Sequence, residues 1–359
     1  MTFLFDLMNR SENILVYRLG SLGDTIMALP AFHGVRRAFP GSNITLLTNR
    51  PVASKAAPIE AVLGKGAFFD EVVEYPAGTR NPSTLLGLIR AMRSRRLDTA
   101  VNLAAYRSDF STIRDKLFFQ VAGIHRLVGF DLKPGDKSIT RDRLTGETEW
   151  EARRIARRIE KIAPVDLDDP TNWDLRLSDI EINRGLELLA PWNSAHRLIA
   201  FSTGTKVQAK HWGSKKWKAL SERLSPELPK WRAVFLGSAE EAMEAQCCAA
   251  IWGDRALNLC GAASPRESAA VLSHCRLFIG HDSGPMHLAA CMGVPCVAIF
   301  SGRNLPRQWF PRGSNNRILQ RFPACAGCGL ENCITEAKKC LTDIPVDEVA
   351  AAVLDSIKP

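Results

Sequence analysis

Short, nearly uninterrupted apolar runs alternate along this chain with longer stretches in which apolar residues recur every three or four positions. Runs of four or five, rich in β-branched side chains, are how strands read when both faces of a parallel sheet are covered; the longer spacing is that of the covering helices. The pattern predicts strands at Ile14–Tyr17, Ile44–Leu47, Glu71–Glu74 and Thr99–Leu103, and again at Leu198–Ser202, Ala233–Leu236, Ala256–Leu259, Leu277–Gly280 and Cys296–Phe300. It predicts helices at Thr25–Phe39, stopped by Pro40-Gly41, and at Ser214–Leu224. Between the two series, "DLDDPTNWDLRLSD" is polar and turn-rich and reads as a connector. The expected organisation is a domain over 1–165, a connector over 166–196, a second domain over 197–345, and a terminal helix within 346–359 that could pack back on the first domain. The expected fold class is α/β, two Rossmann-like doubly wound domains facing a central cleft, with ligands beyond the carboxyl ends of the strands.

Composition sharpens this picture in three ways. With 359 residues, 46% of them hydrophobic and 24% charged, the chain is long enough for two cores. A formal charge of +9 points to an anionic partner: nucleic acid, a phosphorylated small molecule or an acidic membrane surface. No apolar run reaches about 18 residues, and the first twenty residues lack a basic region, a long apolar core and a cleavage site, so a cytoplasmic location is expected. Most of the ten cysteines stand in apolar contexts such as "AACMGVPCVAIF", where Cys acts as a small buried hydrophobe.

Candidate chemistry lies at four strand-to-helix junctions. The first, "RLGSLGDTIMALP", has Gly20-x-x-Gly23-Asp24, which is neither the dinucleotide fingerprint nor a P-loop, and its carboxylate would repel a phosphate at the helix start. Asp24 is either a helix N-cap or a general base brought close to substrate by the flanking glycines. At the second, "STGTKVQAKHW", Thr203, Gly204, Thr205 and Lys210 supply the short donors and compact positive charge that a diphosphate needs. Trp212 and Trp217 read as packing residues. At the third, Glu240 and Glu241 either offset a helix dipole or hold a ribose diol. At the fourth, "FIGHDSGPMHLAACMGVP", a strand runs into a helix capped at Ser283 or Gly284, an anion site flanked by Asp282 and His287.

Taken together, "RLGSLGDTIMALPAF", "STGTKVQAKHW" and "GHDSGPMHLAACMGVPCVAIFSG" resemble glycosyltransferase family 9, the lipopolysaccharide heptosyltransferase family, over nearly the whole chain. The resemblance implies the GT-B arrangement, with the acceptor held by the N-terminal domain and the nucleotide sugar by the C-terminal one. It implies a metal-independent inverting transfer of heptose from ADP-heptose to a lipopolysaccharide-core glycolipid, with no cofactor required. On that analogy Asp24 is the base, with Arg18, Gly20, Ser21 and Gly23 on the acceptor side. Lys210 then serves catalysis, and Thr203, Gly204, Thr205, Ser283 and Gly284 serve the donor. Asp282 touches the sugar, His287 supports the turn, Glu240 or Glu241 binds ribose, and adenine lies near Asn258 to Gly261.

Two features stay open at this level. Arg90, Arg93, Arg95 and Arg96, with Arg153, Arg154, Arg157 and Arg158, form either a basic surface for an acidic acceptor and the inner-membrane face, touched peripherally, or merely solvated helix faces. Cys325, Cys328, Cys333 and Cys340 form a C-x2-C-x4-C-x6-C series that could bind a structural metal, although the second pair is widely spaced for zinc. Asp166-Leu-Asp168 reads as a solvated turn. The competing functions are a GT-B-like sugar-nucleotide epimerase or hydrolase and a basic nucleic-acid-binding protein. The chain carries no recognisable nucleic-acid module, so nucleic acid is not an expected partner. The weakly patterned stretch from Arg107 to Thr148 leaves the acceptor unread.

Overall fold

The computed structural model describes residues 13–50, 57–76, 78–132, 140–141, 144, 147–192, 197–334 and 336–358. The chain divides into two compact units, residues 1–144 with 149–176, and residues 145–148 with 177–359.

Unit 1 is a five-stranded parallel sheet. Its strands are β1 (Asn13–Tyr17), β2 (Asn43–Asn49), β3 (Glu71–Tyr75), β4 (Thr99–Asn102) and β5 (Arg126–Val128), in the order β3-β2-β1-β4-β5. Its helices are α1 (Leu22–Ala38), α2 (Ile59–Leu63), α3 (Pro82–Ser94), α4 (Asp109–Val121) and α5 (Glu151–Arg158). One core cluster packs Leu15, Tyr17, Leu47, Leu88, Met92, Ala100, Phe119 and Phe130.

Unit 2 is a six-stranded parallel sheet. Its strands are β6 (Arg197–Ser202), β7 (Trp231–Phe235), β8 (Ala256–Asn258), β9 (Cys275–His281), β10 (Cys296–Phe300) and β11 (Arg317–Gln320), in the order β11-β10-β9-β6-β7-β8. Its helices are α6 (Asp179–Leu188), α7 (Ser214–Glu227), α8 (Ala242–Trp252), α9 (Pro265–Leu272), α10 (Gly284–Cys291), α11 (Lys339–Thr342) and α12 (Val346–Ser356). In both units the first strand lies between the second and the fourth. The strand order therefore reverses beside β1 and β4 in one unit, and beside β6 and β9 in the other. Crossovers leave such a point on opposite faces of the sheet, and a crevice opens at the carboxyl ends of the two strands.

All nine expected strands form, within one to two residues at each end. The two unexpected ones, β5 and β11, are edge strands with half-buried side chains, too short and too polar to stand out. Helix α1 begins at Leu22, three residues before its predicted start, because Ser21 occupies the N-cap. The stretch expected as a connector over 166–196 is divided between the two units at residues 176 and 177. Trp173 is buried in unit 1, stacked 5.4 Å from Trp150, whereas Glu181 on α6 is held in unit 2 by a bidentate bond from Arg266 at 2.6 and 2.9 Å. That pairing lowers the Glu181 carboxyl to about 2.

The terminal helix is part of unit 2. Val349, Ala350 and Val353 of α12 are buried with Leu341, Ile344, Leu220 and Leu224. Val353→Asp places an unpaired carboxylate in that core, so urea unfolding followed by tryptophan fluorescence is expected to lose at least about 3 kcal/mol. An unchanged midpoint would mean that α12 is not a core element.

Candidate active-site residues

In unit 2 the carboxyl end of β9 is organised around one imidazole. His281 is fully buried; its Nε2 accepts from the Trp212 backbone N–H at 2.9 Å and from Trp217 Nε1 at 3.3 Å. A nitrogen that accepts twice carries no proton, so Nδ1 holds it and donates to the Gly204 carbonyl at 3.2 Å. Burial, reinforced by neighbouring His211, lowers the pKa of His281 to about 3. The neutral ring thus joins the end of β9 to the 203–217 segment after β6. Trp212 and Trp217 pack as expected, edge to face at 5.2 Å, and they also hold this ring.

The next residue carries the charge. Lys210 Nζ lies 2.8 Å from Asp282 Oδ2 and donates to the Asp282 carbonyl at 3.0 Å; Asn304 Nδ2 donates to the same carboxylate oxygen at 2.9 Å. His287 Nε2 stands 3.9 Å from Asp282 Oδ1. The expected residues Lys210, Asp282 and His287 are therefore in direct contact. Thr203 is buried, Ser283 is the N-cap of α10, and the hydroxyl oxygens of both have no hydrogen-bond partner among the described residues. A desolvated hydroxyl costs about 1–3 kcal/mol when left unpaired. Two of them stand at the strand-order reversal with the Lys210–Asp282 pair, where a polar group would satisfy them.

Other expected donor residues are placed differently. Thr205 Oγ1 accepts from the Val207 N–H at 3.4 Å and so closes its own turn. Gly204 is glycine because Glu241 fills the space beside it: a Cβ there would stand 2.2 Å from the Glu241 carboxyl carbon. Glu241 caps its helix by accepting from the Ser238 N–H at 2.8 Å, whereas Glu240 is the exposed one of the two glutamates. Near the expected adenine position, Asn258 Oδ1 accepts from Cys260, and Gly261 (φ 76°) passes so close to Ala239 that a Cβ would fall 2.8 Å from it.

In unit 1, Asp24 is not the N-cap. Ser21 is, and Asp24 reaches back from the first turn, its Oδ2 accepting from the Ser21 N–H and Oγ, each at 2.8 Å. Gly20 (φ 142°) makes room for this, since a Cβ there would lie 2.5 Å from Asp24 Cβ. Gly23 is buried in the same turn. Buried Arg18 donates to the Asp24 carbonyl and, at 2.5 Å, to the Leu103 carbonyl after β4. It thereby fixes the Asp24 turn to the end of β4 across the strand-order reversal.

At the carboxyl ends of β1 and β4 lies a pocket that the sequence did not reveal. It is lined by Tyr17, Asn102, Tyr106, Arg107, Asp115 and Arg158, among others. Arg107 bonds Asp115 at 2.5 Å and reaches the Tyr17 hydroxyl at 3.4 Å; Arg158 donates to the Ala104 carbonyl. Burial raises the pKa of Tyr17, which keeps it a neutral hydroxyl. Tyr17 and Asn102 end β1 and β4, so a polar residue closing each strand beside the reversal was the available signal. The basic helix is corrected as well. Arg154 is buried against Glu151 and Arg158 in the pocket wall, while Arg157 pairs with Glu149, leaving Arg153 as the exposed member of its cluster.

Among the described residues, no three His, Cys, Asp or Glu side chains are grouped to hold an ion. Cys333 Sγ instead accepts from the Lys338 N–H at 3.3 Å, and burial raises the Cys340 thiol. Asp166 Oδ1 accepts from the Asp168 N–H at 2.9 Å, the exposed turn expected of that pair.

The state of His281 is testable by pH. Its folded pKa lies below the ordinary 6.5, so the unfolded chain alone binds this proton between pH 6.5 and about 3. Stability should fall with acidification through that window, by up to about 1.4 kcal/mol per pH unit from this group. His281→Asn should flatten that limb, and an imidazolium signal for His281 in nitrogen NMR at pH 5 would contradict the assignment.

Comparison with known proteins agrees with this architecture. The family model "Glycosyltransferase family 9 (heptosyltransferase)" matches residues 114–337. The chain is 27% identical over 347 residues to lipopolysaccharide heptosyltransferase 1 of Pseudomonas aeruginosa, covering 92% of this chain and 91% of that one. It is 30% identical over 101 residues to lipooligosaccharide heptosyltransferase 2 of Campylobacter jejuni, and there spans about a third of the relative's length, 32%. A family 9 glycosyl transferase structure from Veillonella parvula superposes with a TM-score of 0.74 at 21% identity, covering 96% of this chain and 97% of that one. The Escherichia coli ADP-heptose lps heptosyltransferase II structure gives 0.64 at 19% identity, covering 96% and 98%. The fold is thus the GT-B class expected from the motifs, and the chain belongs to glycosyltransferase family 9, the heptosyltransferase family.

Proposed function

We propose that the protein transfers heptose from ADP-heptose to a lipopolysaccharide-core glycolipid, with inversion at the anomeric carbon and without a metal ion. The observation that carries the reading is the Lys210–Asp282 pair with the unpartnered Thr203 and Ser283 hydroxyls at the ends of β6 and β9. In this reading the acceptor hydroxyl oxygen bonds to the anomeric carbon as the bond to the distal phosphate oxygen of ADP breaks. The hydroxyl proton passes to Asp24, and ADP leaves with the electron pair.

Each residue then has a chemical reason. Charge grows on the departing diphosphate, and Lys210, the two hydroxyls and the N-terminus of α10 are preplaced donors for it. Asp282 holds Lys210 in position and meets the sugar, with His287 behind it. Glu240 takes the ribose diol. Asp24 has one carboxylate oxygen committed to Ser21, and in this reading the other takes the proton on the acceptor side with Arg18, Gly20, Ser21 and Gly23. The ADP-heptose lps heptosyltransferase II of Escherichia coli supports ADP-heptose as donor, and the lipopolysaccharide heptosyltransferase of Pseudomonas aeruginosa supports a lipopolysaccharide acceptor. No helix among the described residues is long and apolar enough to cross a membrane; we place the enzyme in the cytoplasm, meeting the inner-membrane face peripherally where a glycolipid acceptor would lie.

Asp24→Asn separates the base from the cap, because the amide oxygen can still accept from Ser21. Turnover should fall about 10²–10⁴-fold, while thermal stabilisation by ADP-heptose persists. Lys210→Ala should weaken that stabilisation. Normal turnover by Asp24→Asn would remove Asp24 from the mechanism.

A further inference from the structure

One helix of unit 1 leaves a regular apolar stripe in solvent. On α4, Phe110, Ile113, Leu117 and Val121 follow one another at intervals of three and four residues, and are 76%, 46%, 56% and 57% exposed. That spacing puts them on one side of the helix. The opposite side is occupied: Phe119 is buried in the core, and Ser111, Thr112 and Asp115 line the pocket beside Tyr17 and Asn102. The stripe is therefore not a core face left bare by poor packing, since α4 already has a core face and it is filled.

The surroundings of the stripe are basic. Lys116 is exposed on α4, and the Arg93 guanidinium of α3 donates to the Val121 carbonyl at 2.8 Å, joining the two helices at the end of the stripe. Leu86, Arg90 and Arg93 follow one another on one side of α3, all exposed, and exposed Arg96 lies just beyond. The carboxylates of α4 do not oppose this charge. Asp115 faces the pocket, paired to Arg107 and Arg114, and Asp109 accepts from the Tyr106 hydroxyl at 2.8 Å. An apolar stripe bordered by cations, with its acids turned inward, complements an anionic bilayer: the side chains enter the acyl boundary and the cations meet the headgroups.

We propose that the outer face of α4, with Leu86, Arg90 and Arg93 of α3, docks the protein on an anionic phospholipid surface. The same helix would then carry the lipid contact on one side and line the unit 1 pocket on the other. A sugar acceptor anchored in that bilayer is thereby presented to the pocket without leaving the membrane plane. The inference rests on the proposed function only in this last respect, the lipid-borne acceptor.

The test uses the full chain and vesicles of phosphatidylethanolamine with or without phosphatidylglycerol, with a phosphatidylcholine control. Wild type should sediment with phosphatidylglycerol vesicles at least tenfold more tightly than with neutral ones, and more weakly at high salt. Arg90→Glu with Lys116→Glu should cost tenfold or more, on the order of fivefold per cation. Phe110→Asp with Leu117→Asp should abolish sedimentation while circular dichroism and stabilisation by ADP stay as in wild type. Equal sedimentation of wild type and both variants, or none by wild type, overturns the proposal. A dimer in light scattering that Phe110→Asp with Leu117→Asp converts to monomer, without vesicle binding, overturns it in favour of a self-interface. Loss of transfer to a vesicle-borne acceptor, with transfer to a delipidated acceptor retained, supports the docking role. Failure of wild type on both acceptors, with vesicle binding intact, counts against the proposed transfer and leaves the lipid contact standing.

Discussion

A buried imidazole kept neutral by its surroundings holds the unit 2 site together. His281 ends the central strand β9, and its three hydrogen bonds reach two tryptophans and the Gly204 carbonyl in the long segment after β6. Without that tie the segment carrying Thr203 and Lys210 would be an ordinary surface loop, paying its own ordering entropy. With it, Lys210 is brought to the residue after His281 and forms an ion pair with Asp282 that is mostly shielded from water. A charged imidazole would have no acceptor for a second N–H and would repel Lys210. The geometry of the cation therefore depends on the neutrality of its neighbour.

Unit 1 reaches the same end with different chemistry. There a buried arginine, Arg18, spans the strand-order reversal and donates to carbonyls on both sides of it. Burial lowers its pKa and the nearby Asp24 and Glu151 charges restore part of the loss. In both units a single ionisable side chain at or just after a strand end stitches the two loops that flank the crevice. The doubly wound sheet supplies the crevice, and the stitch makes its walls rigid enough to position a carboxylate or an ammonium group.

Several readings that rested on one-dimensional logic changed once partners were visible. Arg154 and Arg158 looked like part of a basic helix face, but helical rotation turns them inward against Glu151 and the Ala104 carbonyl. Asp24 was an N-cap candidate by residue type, yet Ser21 stood three positions earlier in a box that the pattern S-x-x-D already spelled out. Gly204 was assigned to backbone approach by a phosphate, and its missing Cβ turns out to admit Glu241.

The linear chain by itself determined the α/β class, nine of the eleven strands among the described residues, and the junctions at which chemistry could sit. Those properties are local: buried strands must be continuously apolar, and helix starts need caps and small residues. Tertiary structure alone decided which of the junction residues meet. Lys210 and Asp282 are 72 positions apart and touch only because β6 and β9 are neighbours in the sheet. The unit 1 pocket and the bare stripe of α4 were hidden for the same reason. Whether Tyr17, Arg107 or Phe110 faces a pocket, a core or water depends on what packs across from it, and no local pattern carries that information.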